Sequence, residues 1–166
     1  MFTFQIFTVF LIGLIFGSFA NVCIARLPKD KTIIFGRSNC PKCKKKISWY
    51  DNIPLISFIL LSGKCRKCNK KISINYFFVE FITGIFFILI YLYTNNYFDF
   101  VLINLILILF LIIFFIDLKH FIIPDILNFS LIFLGLLKNF IPTKNLNFNY
   151  DIEQSIIGGV IGYLTI

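Results

Sequence analysis

The chain has 166 residues, of which 58% are hydrophobic and 14% are charged, and 23 of them are Phe. A water-soluble core cannot bury so much apolar surface, so the composition excludes an ordinary soluble domain and predicts a bilayer environment. The net charge is +8, and thirteen of the sixteen Lys and Arg residues lie between Arg26 and Lys71. Because apolar segments flank this basic stretch, it indicates a solvated cytoplasmic face and not a nucleic-acid site.

The first apolar segment, residues 2–22, is uncharged and about 20 residues long, which suits one spanning helix. A signal peptide is the alternative interpretation. Against it, no basic residue precedes the segment, the apolar stretch is too long, and positive charge follows it. We therefore expect an uncleaved first helix with its N-terminus outside and Arg26 inside.

The polar part of the chain, residues 26–75, contains every cysteine except Cys23. Within it, the apolar residues 53–61 are too few to span a membrane and predict a short core or interfacial helix. Cys23 lies at the end of the first helix and is expected to serve as a small apolar residue. We detect no internal repeat along the chain.

Further apolar segments follow the polar part, and their polar connections define the topology. They are residues 76–93, 98–115 and 121–141, with 155–166 beginning a fifth. Twelve residues rise only about 18 Å as a helix, less than a hydrocarbon core of about 30 Å, so we expect the sequence to be truncated at its C-terminus. The alternation of segments places residues 26–71 and 117–125 on the inner side, in line with the positive-inside rule.

Four cysteines form two C-x-x-C pairs, Cys40 with Cys43 and Cys65 with Cys68. Two close turns that each supply two thiolates are typical of a tetrahedral zinc site, and nearby Lys and Arg residues favour the thiolates. Disulfides and a thioredoxin-like redox motif are the alternatives, and a reducing cytoplasm disfavours the disulfides. Four protein ligands fill the coordination sphere, so the predicted zinc is structural.

Acidic residues reappear where the apolar chain is interrupted, at Asp117 and Asp125. Ionisable groups at a membrane helix end are either interfacial anchors, which explains Lys119 and His120 well, or functional groups. Aspartic-protease chemistry requires two carboxylates that share a site. Asp125 is equally suited to the first turn of a helix, and nothing in the spacing requires Asp117 and Asp125 to meet.

Three stretches of the sequence resemble the type IV prepilin peptidase family, also called leader peptidase/N-methyltransferases. They are GSFANVCIARLP, the double C-x-x-C block followed by YFFVEFITG, and IDLKHFIIPDILN. The resemblance covers nearly the whole chain, in order. It implies membrane aspartic peptidases that cut the leader of type IV prepilins and pseudopilins after a glycine, on the cytoplasmic side. They then methylate the new N-terminal residue with S-adenosylmethionine.

The resemblance also assigns roles to residues. Asp117 matches one catalytic aspartate of the family, whereas the other lies in a Gly-x-Gly-Asp motif that these 166 residues do not contain. We therefore expect the chain as given not to cleave, and the second role is not transferred to Asp125. Methyl transfer is associated with the N-terminal half, and Glu80, Asp117 and Asp125 are expected to receive the basic leader.

The sequence therefore predicts an all-α, polytopic membrane helix bundle with a small cytoplasmic zinc-binding loop domain. We expect a first transmembrane helix at 1–25, the zinc domain at 26–75 and an incomplete aspartic peptidase domain at 76–166. The expected location is the bacterial inner membrane, with prepilins and lipid as partners and no nucleic acid. The alternatives are a zinc-stabilised scaffold or pseudoenzyme of a pilus or secretion assembly, and a membrane thiol oxidoreductase.

Overall fold

The computed structural model describes residues 2–33, 36, 38–140 and 157 of the chain. Its helices are α1 (Phe2–Arg26), α2 (Ile56–Leu60), α3 (Asn75–Tyr93), α4 (Tyr97–His120) and α5 (Asp125–Phe140). Short 3-10 helices lie at Leu27–Lys29 and Trp49–Asn52. The residues between α1 and α3 form a compact polar segment, which we call the insert (residues 27–74). No β-strand occurs in the described ranges, where only isolated bridges join parts of the insert.

Three of the described helices, α1, α3 and α4, are long and apolar enough to cross a membrane. Together with a cluster of four cysteines in the insert, they confirm the predicted fold class of an all-α membrane protein. Helix α5 has 16 described residues, and it begins at Asp125 instead of at the first residue of the span predicted at 121–141.

Helices α1 and α3 form the closest packing of the bundle, which we call the α1–α3 seam. A Cβ atom added to Gly13 would lie 2.8 Å from the Cα of Gly84, and one added to Gly17 would lie 2.8 Å from the Cα of Glu80. Small residues four apart on a membrane helix let two backbones approach this closely. Asn21 continues the same face of α1, and its Nδ2 donates a hydrogen bond to the carbonyl of Tyr76 at 3.0 Å.

The boundary between α4 and α5 differs from the sequence prediction. Helix α4 continues through Asp117 to His120, and Phe121 then ends it with a φ of 53°. Residues 121–124 are not helical, so the helix predicted from residue 121 begins only at Asp125. Pro124 explains the late start, because proline disfavours helical geometry in the residue before it. The predicted fifth segment and the loop before it lie outside the described residues, apart from Ile157.

Candidate metal centre and candidate active site

The insert is built around two loops of the same structure, residues 38–47 and 63–72, which we call the knuckles. Equivalent backbone bonds form in both, Lys44 N to Cys40 O and Asn69 N to Cys65 O, each at 2.8 Å. Lys44 and Asn69 also share a positive φ, of 57° and 52°. The expectation of no internal repeat is therefore wrong at this scale, and the shared pattern C-x-K-C-x-K-K-I is the signal that reveals it.

The knuckles bring together the four cysteines that the sequence predicted as metal ligands. The sulfur atoms of Cys40, Cys43, Cys65 and Cys68 all lie within 4.8 Å of one another. The Cys40 and Cys68 sulfurs are 3.9 Å apart. A tetrahedral zinc with bonds of about 2.3 Å separates its sulfur ligands by about 3.8 Å. The donor set and its spacing therefore fit a zinc ion.

The electrostatics of this cluster also favour a cation. A hydrogen bond from the backbone at Lys70 lowers the pKa of Cys68, but partial desolvation and hydrogen bonds with the three other cysteines outweigh it and raise the pKa to about 11. The hydrogen bonds with its neighbours and the desolvation both favour the neutral form of the Cys68 thiol. A divalent cation at the centre reverses this balance and deprotonates the thiols that coordinate it.

Glu80 connects the insert to the membrane helices. Its Oε2 atom accepts a hydrogen bond from the backbone N–H of Leu55 at 2.9 Å, and its side chain is 9% exposed. Leu55 has a φ of 57°, an unfavourable backbone conformation for a residue with a side chain. Three acids were expected to receive the leader. Asp117 and Asp125 are exposed, whereas Glu80 is buried and bonds to the insert instead.

A cavity lies where the insert covers the ends of α1 and α3. Its wall includes the polar side chains Asn21, Asn52 and Glu80 and the aromatic rings of Phe58 and Tyr76. Sequence reasoning did not select Asn21, Asn52 or Phe58 as site residues. For Asn21 the signal was available, because this amide follows Gly13 and Gly17 at the same four-residue spacing in an otherwise apolar helix.

Asp117 lies in the last turn of α4, and Asp125 is the first residue of α5. Both side chains are exposed. The backbone N–H of Phe121 donates to the carbonyl of Asp117 at 2.9 Å and closes the end of α4. The two aspartates, with the turn between them, form what we call the α4–α5 corner. They lie outside the cysteine cluster and outside the walls of the cavity.

The end of α4 nevertheless lies beside the insert. His120 of α4 and Pro41 of the first knuckle line one pocket, together with Lys29 at the end of α1 and Asn75 at the start of α3. The α4–α5 corner and the insert are therefore at the same end of the helix bundle, as the predicted topology requires. Which side of the membrane this end faces stays a prediction.

Two family models match the chain. One, described as Bacterial Peptidase A24 N-terminal domain, matches residues 11–94. The other, described as Type IV leader peptidase family, matches residues 104–166. No solved structure matches the chain.

Curated relatives carry the name prepilin leader peptidase/N-methyltransferase. The protein of Vibrio cholerae is 43% identical over 163 residues, which are 93% of this chain and 62% of that protein. The protein of Klebsiella pneumoniae is 38% identical over 167 residues, covering 95% of this chain and 69% of that protein. The chain thus spans about three-fifths to two-thirds of the length of these two relatives. With matching models over both halves and this identity to named relatives, the chain belongs to the type IV leader peptidase family.

Proposed function

We propose that the chain provides the membrane bundle and zinc insert of a prepilin leader peptidase/N-methyltransferase. Such a protein cleaves the leader of type IV prepilins or pseudopilins after glycine and methylates the new N-terminal residue. The observation that carries the proposal is Asp117, an exposed carboxylate on the last turn of a membrane-capable helix, beside the insert. The names of the relatives support both activities.

Asp117 is proposed as one of two carboxylates of an aspartic peptidase. In such a pair one carboxylate takes a proton from the attacking water, and the other, protonated, polarises the scissile carbonyl. We propose that the second carboxylate comes from a Gly-x-Gly-Asp motif outside these 166 residues. A substrate whose leader joins a membrane helix presents its scissile bond near the membrane surface, where the end of α4 holds Asp117. The exposed charges of Asp117 and Asp125 favour approach of a basic leader.

Zinc is proposed to act on the structure of the insert. Cys40, Cys43, Cys65 and Cys68 would occupy all four positions of a tetrahedral ion and leave none for water or substrate. The two knuckles would then be fixed against each other, and with them the residues between them. One of these is Leu55, which bonds to Glu80. The metal thereby supports the cavity wall without taking part in the reaction.

The cavity between the insert and the ends of α1 and α3 fits S-adenosylmethionine, which supplies a methyl group from a positively charged sulfur. The Glu80 carboxylate offers a negative charge on the wall. Phe58 and Tyr76 offer rings on which an adenine base can stack. Asn21 and Asn52 offer amides for polar groups. We propose that these five residues hold the methyl donor.

The distribution of positive charge supports an orientation with the insert and the α4–α5 corner in the cytoplasm of a bacterial cell. We therefore propose an inner-membrane location, a first transmembrane helix at 1–25, a zinc domain at 26–75 and a peptidase membrane domain at 76–166. Reporter fusions at residues 73 and 118 test the orientation. Fusions that report opposite sides of the membrane would contradict it.

The peptidase proposal is tested with the full gene product and a prepilin in detergent. We expect Asp117→Ala to lower the cleavage rate by about 10²- to 10⁴-fold, the usual contribution of a general acid or base. Asp125→Ala is the matched control and should keep cleavage, with at most a small loss from weaker attraction of the basic leader. A parent that binds zinc and prepilin but never cleaves would favour a scaffold or pseudoenzyme.

The proposed methyl-donor site is tested by binding of S-adenosylmethionine in calorimetry. Stacking of a base on an aromatic ring is worth about 1–3 kcal/mol, so Phe58→Leu should weaken binding by about fivefold or more. Trp49→Leu is the control, because Trp49 is a highly exposed aromatic residue of the insert and does not line the cavity. Equal affinities of the two variants would place the donor elsewhere.

A further inference from the structure

A second pocket, of about 250 Å³, lies where α1 and α4 end and α3 begins. Lys29 follows α1, Lys119 and His120 form the last turn of α4, and Asn75 begins α3. These residues are far apart in the sequence, and the fold brings them to one pocket. We call it the basic pocket.

The basic pocket carries positive charge without a matching acid. Lys29, Lys119 and His120 are in its lining, and no Asp or Glu residue is. Within the described ranges, none of these three side chains takes part in a hydrogen bond or an ion pair. The nearby Arg26 differs, since its guanidinium donates to the carbonyls of Thr32 and Gly36. The basic side chains at the pocket are thus available to an anion.

Apolar side chains form the deeper part of the same pocket. Ile24, Val79 and Phe115 line it, one from each of the three membrane-capable helices. Phe115 is one turn before Lys119 on α4, and Val79 is one turn after Asn75 on α3, so both lie deeper along their helices than those polar residues. A ligand that fills the pocket therefore meets cations at the helix ends and an apolar surface below them.

We propose that the basic pocket binds the phosphate headgroup of an anionic phospholipid. A role as interfacial anchor would explain Lys119 or His120 taken singly. It would not explain why Lys29 and Lys119, from separate helices, line one pocket together with apolar side chains. Basic pockets between membrane helices recognise anionic headgroups in this way. The apolar floor favours a lipid over a free phosphate ion as the source of the anion. The inference is independent of the proposed peptidase function.

The test measures lipid binding to the purified protein by native mass spectrometry, with phosphatidylglycerol and phosphatidylcholine as probes. Lys29→Gln combined with Lys119→Gln should weaken phosphatidylglycerol binding by about tenfold and leave phosphatidylcholine binding unchanged. The matched control combines Lys42→Gln with Lys70→Gln, which removes two exposed positive charges of the knuckles. It should change phosphatidylglycerol binding far less.

A second pair of measurements keeps the test decisive. Lys29→Arg combined with Lys119→Arg should restore binding, which separates loss of the site from loss of folding. Equal weakening by both Gln pairs would show a diffuse surface charge and overturn the site. Displacement of phosphatidylglycerol by inorganic phosphate alone would assign the pocket to a soluble anion and overturn the lipid assignment.

Discussion

The α1–α3 seam and the α4–α5 corner lie in the same bundle but are built in opposite ways. In the seam, Gly13 and Gly17 lie so close to α3 that an added methyl group has no space. At the corner, Asp117 and Asp125 are exposed, and a Cβ added to Gly135 farther along α5 would meet nothing within 4 Å. The seam is closely packed, whereas the corner leaves its carboxylates accessible.

This difference separates residues that hold the structure from residues that meet the substrate. Glu80 and Asp117 are both acids near the same end of the bundle, and sequence reasoning treated them alike. The structure buries Glu80 in the seam as an acceptor for Leu55 and leaves Asp117 exposed. We therefore expect replacement of Glu80 to lower stability, and replacement of Asp117 to lower activity with little change in stability.

The largest expected loss of structure comes from removing one ligand of the cysteine cluster. Structural zinc contributes about 10–16 kcal/mol in small zinc domains, which is as large as the stability of a whole domain. Cys65→Ser should therefore abolish zinc binding, measured by elemental analysis, and make the insert sensitive to protease. Helix α4 should keep its protection in hydrogen exchange, because none of the four cysteines lies on it.

The matched control for this variant is Cys23→Ala. Cys23 is buried in α1 and lies outside the cysteine cluster, so its replacement should leave one zinc per chain. If Cys23→Ala lowers the zinc content as much as Cys65→Ser does, the assignment of the four ligands is wrong.

A glycine of the seam and a glycine of α5 give the most direct comparison. Gly17→Leu forces a side chain into space 2.8 Å from the backbone of Glu80, and overpacking of this kind costs about 1–3 kcal/mol. Gly135→Leu makes no such contact. Glycine is unfavourable inside a helix by about 1 kcal/mol, so this replacement should not destabilise α5. Thermal unfolding in detergent should show a lower midpoint for Gly17→Leu only. Equal midpoints would contradict the close approach of α1 and α3.

Glu80 and Asp125 are expected to differ in how much each contributes to stability. Glu80→Ala leaves the buried N–H of Leu55 without its acceptor, which costs about 1–3 kcal/mol. Asp125→Ala removes an exposed acid from the first turn of α5, where its favourable interaction with the helix dipole is worth about 0.3–1 kcal/mol. Hydrogen exchange at the backbone amides of the insert, that of Leu55 included, measures the loss of stability in each variant. A larger loss for Asp125→Ala would refute the structural role of Glu80.

The sequence was sufficient to predict the parts of the fold that depend on composition and spacing. Uninterrupted apolar segments predicted the membrane helices, and two C-x-x-C pairs predicted the cysteine cluster. Helix ends were less accurate, because Asp117 and Lys119 are compatible both with a final helical turn and with a loop. Two features decide the boundary between α4 and α5. The sequence shows Pro124, but it does not show the left-handed conformation of Phe121.

The wall of the cavity could not be predicted from the sequence. The bond between Leu55 and Glu80 joins residues 25 apart through a backbone N–H, and no side-chain pattern encodes such a contact. The basic pocket likewise depends on three helix ends that meet only in the folded bundle. The glycine spacing of α1 did carry information about the seam, which the hydrophobicity of the segment alone does not reveal.

The smallest effect is expected at an exposed ion pair of the insert. Arg66 donates from Nε and Nη2 to the Asp51 carboxylate at 2.7–3.0 Å, and its guanidinium lies 5.5 Å from the centre of the Tyr50 ring. Half-exposed pairs of this kind contribute about 0.2–1 kcal/mol, so Arg66→Gln should lower the unfolding midpoint of the insert slightly. Lys70→Gln removes a positive charge from the same knuckle without this pair and should have no effect. Because salt screens an exposed ion pair, high salt should remove the difference between the two variants. A difference that persists in high salt would show that Arg66 acts through packing on Tyr50 instead.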